Sequence, residues 1–129
     1  MAAKRSKPVR LPNHGLVSQN VCVGGRRTSI RLESYLWVSL DDVCRKLSIG
    51  RGDVVTMVDK ARCEVSLTSA MRVFILAFFR GELRNREAKP DALLLQAIGE
   101  VQHAGADALA VRLMERRPAQ PEARVGASP

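Results

Sequence analysis

An alternation of apolar and polar residues stands out in the segment 27–32. A period of two is typical of a strand with one buried face and one solvated face. The apolar side of the predicted strand comprises Thr28, Ile30 and Leu32. The outward side comprises Arg27, Ser29 and Arg31. Two guanidinium groups and a hydroxyl therefore face solvent, and such groups donate hydrogen bonds to base edges and phosphate oxygens.

A weaker strand pattern precedes this segment at residues 16–23, where the polar stretch 18–20 interrupts the first half. Gly24 and Gly25 separate the two patterns, and a pair of glycines permits the positive φ angles of a two-residue hairpin turn. The pattern therefore favours an intrachain hairpin. It leaves open whether residues 21–23 form an outer strand or a loop.

Two helices are predicted directly after the strand. Apolar residues at spacings of three and four indicate a helix over residues 35–47, and Ser34 is its predicted N-cap. A second helix follows a glycine-containing turn, with Ser48 or Asp53 as its predicted cap. The apolar stripe of the first helix consists of Trp37, Leu40, Cys44 and Leu47. The second helix is expected to bury Val54, Val55, Val58 and Ala61.

Two longer helices are predicted in the second half of the chain. The third runs from its N-cap, Ser66, to Arg84, and apolar residues cover most of its circumference. Such a helix must be buried on more than one side, and a partner subunit is the simplest source of the second surface. The fourth spans residues 91–116. Gly99 and Gly105 weaken it by roughly 1 kcal/mol each relative to alanine, so a bend or break is expected near Gly105.

Composition divides the chain into four parts. Residues 1–15 are expected to be a flexible basic arm, and residues 16–84 hold the strand and the first three helices. Residues 85–116 are a helical extension that begins with a polar linker ending in proline. Residues 117–129, with three prolines, are expected to be a disordered tail. The predicted fold class is mainly α with a short β-ribbon.

Positive charge is concentrated near the N-terminus. The chain has 21 Lys and Arg against 13 Asp and Glu, a net charge of +8. Seven of the basic residues and none of the acids lie within residues 1–32. This asymmetry indicates a polyanionic partner. For the arm alone, a solvated basic tail is an equally good interpretation, whereas for Arg27 and Arg31 the strand context favours a role at DNA.

The sequence offers no constellation for catalysis or metal binding. No nucleophile–base pair, carboxylate dyad, glycine-rich phosphate loop or metal-ligand spacing can be assembled, so an enzyme is the least expected class and no cofactor is predicted. Cys22, Cys44 and Cys63 are widely spaced and are interpreted as reduced thiols of a cytoplasmic protein, two of them facing the core. The longest apolar run, residues 73–79, is too short to span a bilayer, so no membrane partner is expected.

The predicted strand needs a neighbour for its backbone groups. A single strand of about six residues cannot satisfy its N–H and C=O groups alone, and an isolated hairpin is marginal at best. Antiparallel pairing of residues 27–32 with the same segment of a second chain provides that neighbour. It also brings two copies of the outward side together on a ribbon, which is an element that fits the major groove of B-DNA.

The segment 21–33, the Trp37 that follows it and the segment 67–76 together resemble the ribbon-helix-helix domain family of bacteria, which is related in fold to the Arc and MetJ repressors. The resemblance covers roughly residues 14–81. It implies a ribbon-helix-helix homodimer whose intermolecular ribbon reads bases, here with additional C-terminal helices. It also implies that the second helix holds a phosphate at its N-terminus, where free N–H groups and the helix dipole favour an anion.

The resemblance assigns roles to individual residues. By position, it assigns the base contacts to Arg27, Ser29 and Arg31. The residues expected to contact phosphate are Arg26, Ser48, Gly50, Arg51 and Gly52. The residues expected to form the dimer core are Ile30, Leu32, Trp37, Leu40, Val58, Phe74 and Phe78.

Two functions remain open from the sequence. The first is sequence-specific binding of double-stranded DNA by a dimeric, cytoplasmic transcriptional regulator, such as a repressor, that associates with the bacterial nucleoid when bound. The second is a protein-interaction module of the antitoxin or adaptor type, which would use residues 91–116 to bind a partner protein. Dimers that assemble further on DNA are compatible with the first function.

Overall fold

The computed structural model describes residues 15–116, apart from the side chains of residues 107–109 and 116. The predictions of a flexible arm and a disordered tail lie outside the described residues, except for Gly15. In chain order the elements are β1 (Leu16–Val23), β2 (Arg26–Glu33), α1 (Ser34–Leu47), α2 (Arg51–Ala61), α3 (Leu67–Arg84) and α4 (Pro90–Arg116). The prediction of a mainly helical chain with a short β-ribbon and additional C-terminal helices is confirmed.

β1 and β2 form an antiparallel hairpin in which Val23 lies opposite Arg26. Gly24 and Gly25 have φ angles of +57° and +85°, the conformation that a two-residue turn requires and that side chains disfavour. The Gly24 N–H donates to Thr56 Oγ1 at 3.0 Å, which fastens the turn to α2. The intrachain hairpin predicted from the glycine pair is therefore confirmed, and residues 21–23 belong to a strand.

The start of α1 differs from the prediction. Glu33 is the N-cap and makes no side-chain capping hydrogen bond, while Ser34 is already the first helical residue. The Ser34 N–H donates to the Gly15 carbonyl at 3.2 Å and so extends the hairpin ladder by one pair. The helix begins directly at the end of the strand, which leaves no room for a separate capping residue.

The start of α2 also differs from the prediction. Gly50 is the N-cap, and Asp53 lies within the first turn instead of preceding it. Ser48 ends α1 in the left-handed conformation, with φ +58°, and its N–H donates to the Arg45 carbonyl. The other predicted cap is confirmed, because Ser66 Oγ accepts a hydrogen bond from the Ser69 N–H at the start of α3.

The core lies between the inner face of the hairpin and the four helices. All seven residues predicted for a dimer core are at most 3% exposed within a single chain: Ile30, Leu32, Trp37, Leu40, Val58, Phe74 and Phe78. The second surface of α3, predicted to come from a partner subunit, is supplied by α4 of the same chain. α4 contributes Leu93, Ala97 and Val101 to this core.

The helix α4 is continuous through Gly105, so the break predicted there as the alternative to a bend does not occur. A Cβ atom at this position would lie 2.8 Å from the backbone nitrogen of Cys63 and 2.9 Å from its Cβ. Gly105 therefore permits close approach of α4 to the loop between α2 and α3. Within residues 15–116, no helix is long and apolar enough to cross a membrane.

Candidate nucleic-acid interface

The solvent side of the hairpin, here called the outer face, carries three exposed residues from each strand. Its cross-strand pairs are Ser18–Arg31, Asn20–Ser29 and Cys22–Arg27. Every second residue of a strand points to the same side of the sheet, and two residues opposite each other in an antiparallel pair also share a side. The three residues predicted to contact bases therefore lie together on one surface.

Arg27 and Arg31 are available to a ligand. Each is exposed, and neither guanidinium makes an ion pair or a hydrogen bond with another described residue. The positions opposite them are the small residues Cys22 and Ser18, which carry no negative charge. The outer face is thus a cationic surface whose charge no other described residue neutralises.

Sequence reasoning missed the contribution of β1 to this surface. The stretch 18–20 appeared to weaken a strand, yet it alternates in the same way as β2, with Ser18 and Asn20 outward and Gln19 half-buried. Gln19 is tolerated on the inner face because its side-chain oxygen accepts a hydrogen bond from Arg51. Alternation of short polar residues with Val21 and Val23 was the available signal.

The two edges of the hairpin differ. A two-residue turn makes Val23 and Arg26 a hydrogen-bonded pair, so the even-numbered residues of β2 direct their backbone groups to β1. The bond from Ser34 N–H to the Gly15 carbonyl fits this alternation. Residues 27, 29, 31 and 33 consequently direct their N–H and C=O groups to the other edge. Among the described residues, no strand pairs with that edge.

The edge of β1 is covered by α2 at the turn end of the hairpin. The Gly52 Cα lies so close to β1 that a Cβ would be 2.8 Å from the Cys22 carbonyl oxygen. Together with the bond from the Gly24 N–H to Thr56, this contact closes the turn end of the β1 edge. It also places the N-terminus of α2, which was predicted to hold a phosphate, beside the hairpin.

Arg51 is engaged within the chain. Its Nη2 donates to Asp41 Oδ1 at 2.7 Å, and its Nη1 donates to Gln19 Oε1. The guanidinium carbon lies 4.8 Å from the ring centroid of Trp37. A cation held over an aromatic face and paired with a carboxylate is well anchored. In this structure the side chain connects β1, α1 and α2.

The surroundings of the α2 N-terminus are electrostatically mixed. The helix dipole favours an anion, but the carboxylates of Asp41 and Asp53 lie in the same region. The Ser48 N–H is already bonded to α1 and does not face the α2 N-terminus. Of the residues predicted to contact phosphate, Gly50 and Gly52 are the ones whose backbone groups lie at the start of α2. Arg26 lies at the turn end of β2, where it is exposed.

Glu33 closes β2 and is clamped by α3. The Arg72 guanidinium donates to Glu33 Oε1 at 2.9 Å and to Oε2 at 3.0 Å. The hydrogen bonds from Arg72 hold the pKa of the Glu33 carboxyl below its usual value, assisted by a backbone hydrogen bond. This ion pair fixes the point at which the strand becomes a helix.

The cysteines are all free thiols, but their placement differs from the prediction that two face the core. Cys22 and Cys63 are exposed, and only Cys44 is half-buried. Burial raises the pKa of the Cys44 thiol. Cys22 is exposed because the alternation of β1 places it on the outer face. No group of metal-ligating side chains occurs in the part of the chain that the structure describes.

Comparisons with known proteins agree with this architecture. A family model described as a ribbon-helix-helix domain matches residues 16–79, which run from β1 into α3. The solved structure of an uncharacterized protein from Bordetella pertussis Tohama I aligns with a TM-score of 0.51 and 17% identity, over 74% of this chain and 85% of that one. At this identity the likeness concerns the fold alone. No curated protein matches the chain. Through residues 16–79, the chain belongs to the ribbon-helix-helix family.

Proposed function

We propose that the protein is a dimeric, sequence-specific DNA-binding protein that regulates transcription. The observation that carries this proposal is the outer face of the hairpin, on which Arg27 and Arg31 are exposed and have no ion-pair partner among the residues that the structure describes. Arginine donates two parallel hydrogen bonds to the O6 and N7 atoms of guanine, and one good pair of this kind discriminates by about 1–3 kcal/mol. Ser29, between them, can contact a base edge or a phosphate.

The open edge of β2 supports a dimer. An unpaired strand edge is an exposed template for a second strand, and proteins normally cover or pair it. The second copy of β2 is the natural partner, since the resulting surface would carry two copies of Arg27, Ser29 and Arg31. The residues predicted for a dimer core are buried within each chain, so the interface proposed here consists of the strand edge and the surface next to it.

The sheet of such a dimer would have four strands, with β2 of each chain in the centre. Strands are spaced about 4.8 Å apart, so the two central strands lie roughly 2.4 Å and the outer strands roughly 7 Å from the dimer axis. The major groove is about 12 Å wide. The central strands can therefore enter the groove while Ser18 and Asn20 of β1 remain at its margins.

Phosphate contacts would position the sheet on the duplex. The candidates are the first turn of α2, at Gly50 and Gly52, together with Arg51 and Arg26. The Arg51 guanidinium is bonded to Asp41. To contact a phosphate, Arg51 must either bind the phosphate and Asp41 together or give up its bond to Asp41. Ser48 could contribute only its hydroxyl, because its N–H is bonded to α1.

The test is selection of bound fragments from genomic DNA, followed by titration of the recovered site at several salt concentrations. Arg31→Ala is expected to weaken binding to the selected site by roughly tenfold to a hundredfold, in line with 1–3 kcal/mol. Arg86→Ala, which removes the same charge from the loop after α3, is the matched control. Equal affinities of the two variants, or no recovered site, would exclude the proposal.

A second function, binding of a partner protein by α4, has one specific observation in its favour. Four large apolar side chains of this helix are 55–72% exposed: Leu95, Val111, Leu113 and Met114. Deletion of α4 would also remove core residues, so substitution is the better test. Replacement of Leu113 and Met114 by Gln should abolish capture of a partner and leave DNA binding unchanged if this function is real.

A further inference from the structure

We propose that a cavity between α3 and α4 binds a small aromatic acid. The ligand would have one apolar ring, a carboxylate at one end and a hydrogen-bond donor at the other. The cavity has a volume of about 190 Å³, and its lining side chains come from these two helices alone. The site goes beyond the proposed function, because the hairpin contributes no residue to it.

The two helices are antiparallel neighbours at the cavity. The linker between them, residues 85–89, is short. Gly81, in the last turns of α3, faces Leu93 and Gln96 in the first two turns of α4. A Cβ at position 81 would lie 3.0 Å from Leu93 Cδ2 and 3.2 Å from Gln96 Oε1, so the missing side chain keeps this part of the cavity open. Glu100, one turn beyond Gln96, therefore lies toward the start of α3.

The end of the cavity near the C-terminus of α3 is cationic. Arg80 and Arg84 line it and are one helical turn apart, so their side chains share a face of the helix. Both are exposed, and neither makes an ion pair or a hydrogen bond with another described residue. The nearby Glu82 is paired with Lys46. A carboxylate can accept hydrogen bonds from both guanidinium groups, and the Gln96 amide offers a further donor.

The other end of the cavity is apolar. Val73, Leu76 and Ala77 line it, one to two turns before the arginines. Leu76 is 62% exposed, although it is a large apolar side chain in the middle of α3. A ring placed over it removes this surface from water, which favours binding. A cavity of about 150 Å³ can hold benzene, so the volume of about 190 Å³ accepts one ring with small substituents.

Glu100 determines the direction of the ligand. Its carboxylate lines the same cavity from α4, toward the apolar end. It repels an acid group, so the carboxylate of the ligand belongs beside the arginines. It also accepts a hydrogen bond, which a hydroxyl group on the opposite side of the ring can donate. The cavity therefore fits 4-hydroxybenzoate better than benzoate.

Isothermal titration calorimetry of the full chain with 4-hydroxybenzoate tests the site. We expect a dissociation constant between roughly 10 μM and 1 mM, a range that suits a ligand of about ten non-hydrogen atoms. The uncharged 4-hydroxybenzamide has nearly the same shape and is expected to bind about tenfold more weakly or worse. Acetate and sulfate, which carry charge without a ring, should not bind below about 10 mM.

A pair of double variants locates the site. Arg80→Gln/Arg84→Gln should weaken binding by about tenfold or more, because both charges are lost while the exposed side chains remain long and polar. Arg86→Gln/Lys89→Gln removes the same charge from the linker, outside the cavity, and should bind like the wild-type chain. Thermal unfolding verifies the fold of both variants, and the comparison with the benzamide needs no variant.

Three results would overturn the site: equal affinities of the two double variants, no binding of 4-hydroxybenzoate to the wild-type chain, or equal binding of the benzamide. Equal binding of acetate or sulfate would overturn the role of the apolar end, and with it the assignment to an aromatic acid. None of these measurements uses DNA, so their outcome does not depend on the proposed function.

Glu100→Ala tests the direction of the ligand. The wild-type chain should prefer 4-hydroxybenzoate to benzoate by about threefold to tenfold, in line with one hydrogen bond, and the variant should lose this preference. Glu87→Ala, which removes a carboxylate from the linker, is the control and should keep it. A preference that is unchanged in Glu100→Ala, or absent from the wild-type chain, overturns the role of Glu100 alone.

Discussion

Arg51 lies over the indole ring of Trp37, with its guanidinium carbon 4.8 Å from the ring centroid. The indole Nε1–H donates to the Val17 carbonyl at 2.9 Å, and the guanidinium is held by Asp41 at 2.7 Å. The buried tryptophan therefore joins β1 to α1, while Arg51 joins both to α2. This connection sets the position of the α2 N-terminus relative to the outer face.

We predict that Arg51→Lys lowers the free energy of unfolding by about 1 kcal/mol. Lysine keeps the positive charge but lacks the planar guanidinium that donates to two partners and stacks on Trp37. Urea denaturation measures the change. Arg45→Lys is the control, since Arg45 pairs with Asp42 on an open surface where such pairs contribute little. Equal destabilisation by the two substitutions would show that the contact with Trp37 contributes nothing.

We predict a pH dependence from the ion pair between Glu33 and Arg72. The pKa of Glu33 is lowered in the folded chain, so the carboxylate stabilises the fold above its unfolded pKa, about 4.3. This stabilisation is lost as the pH falls through the lowered value. The urea midpoint of the wild-type chain should therefore exceed that of Glu33→Gln near neutral pH, and the difference should shrink in acid. A difference that is constant with pH would contradict the prediction.

We predict opposite effects of alanine at two glycines of α4. Gly105→Ala should destabilise the protein by about 1–3 kcal/mol, because its Cβ would overlap the Cys63 backbone. Gly99→Ala should stabilise it by about 0.5–1 kcal/mol, because that position is helical and open, with no atom within 4 Å. Thermal unfolding of both variants provides the comparison. A stabilising effect at both positions would show that α4 does not approach the loop closely.

We predict that the two strands of the hairpin contribute differently to DNA binding. Arg31→Ala should relax base preference at one position in each half of the selected site, because β2 enters the groove in the proposed complex. Asn20→Ala should lower affinity for all sequences by a similar, smaller factor, because the proposed complex places β1 near the phosphates at the groove margin. Binding to a panel of single-base variants of the site distinguishes these outcomes. A changed base preference in Asn20→Ala would mean that β1 also reaches the bases.

The local elements were predictable from the sequence because their signals are local. The alternation around Ile30, the glycine pair and the Ser66 cap each depend on a few neighbouring residues, and each corresponds to an observed feature. Local signals also misled at two helix starts, where Glu33 and Gly50 cap the helices instead of Ser34 and of Ser48 or Asp53. Other wrong predictions depended on distant contacts. Gly105 was interpreted as a weak point of α4 because the residue that it contacts in space, Cys63, is distant in the sequence. The second surface of α3 was assigned to another subunit because apolar periodicity does not identify the element that covers it.

The candidate site was partly predictable for the same reason. The outward direction of Arg27, Ser29 and Arg31 follows from a period of two and is observed. The bonding of Arg51 to Asp41 required knowledge that α1 and α2 meet at this point, and the sequence has no local sign of it. Whether these residues contact DNA stays a prediction.

The contact that α2 makes with β1 at Gly52 covers the turn end of the outer edge, while among the described residues nothing pairs with the edge of β2. A sheet that is open on both sides can add subunits without limit and grow into fibres. A hairpin with one closed side can accept one further chain at its open side and then offers nothing to a third. In the proposed dimer, the glycine at position 52 would thus oppose growth beyond two chains, and a bulkier side chain that lifted α2 from the strand would remove this protection against polymerisation.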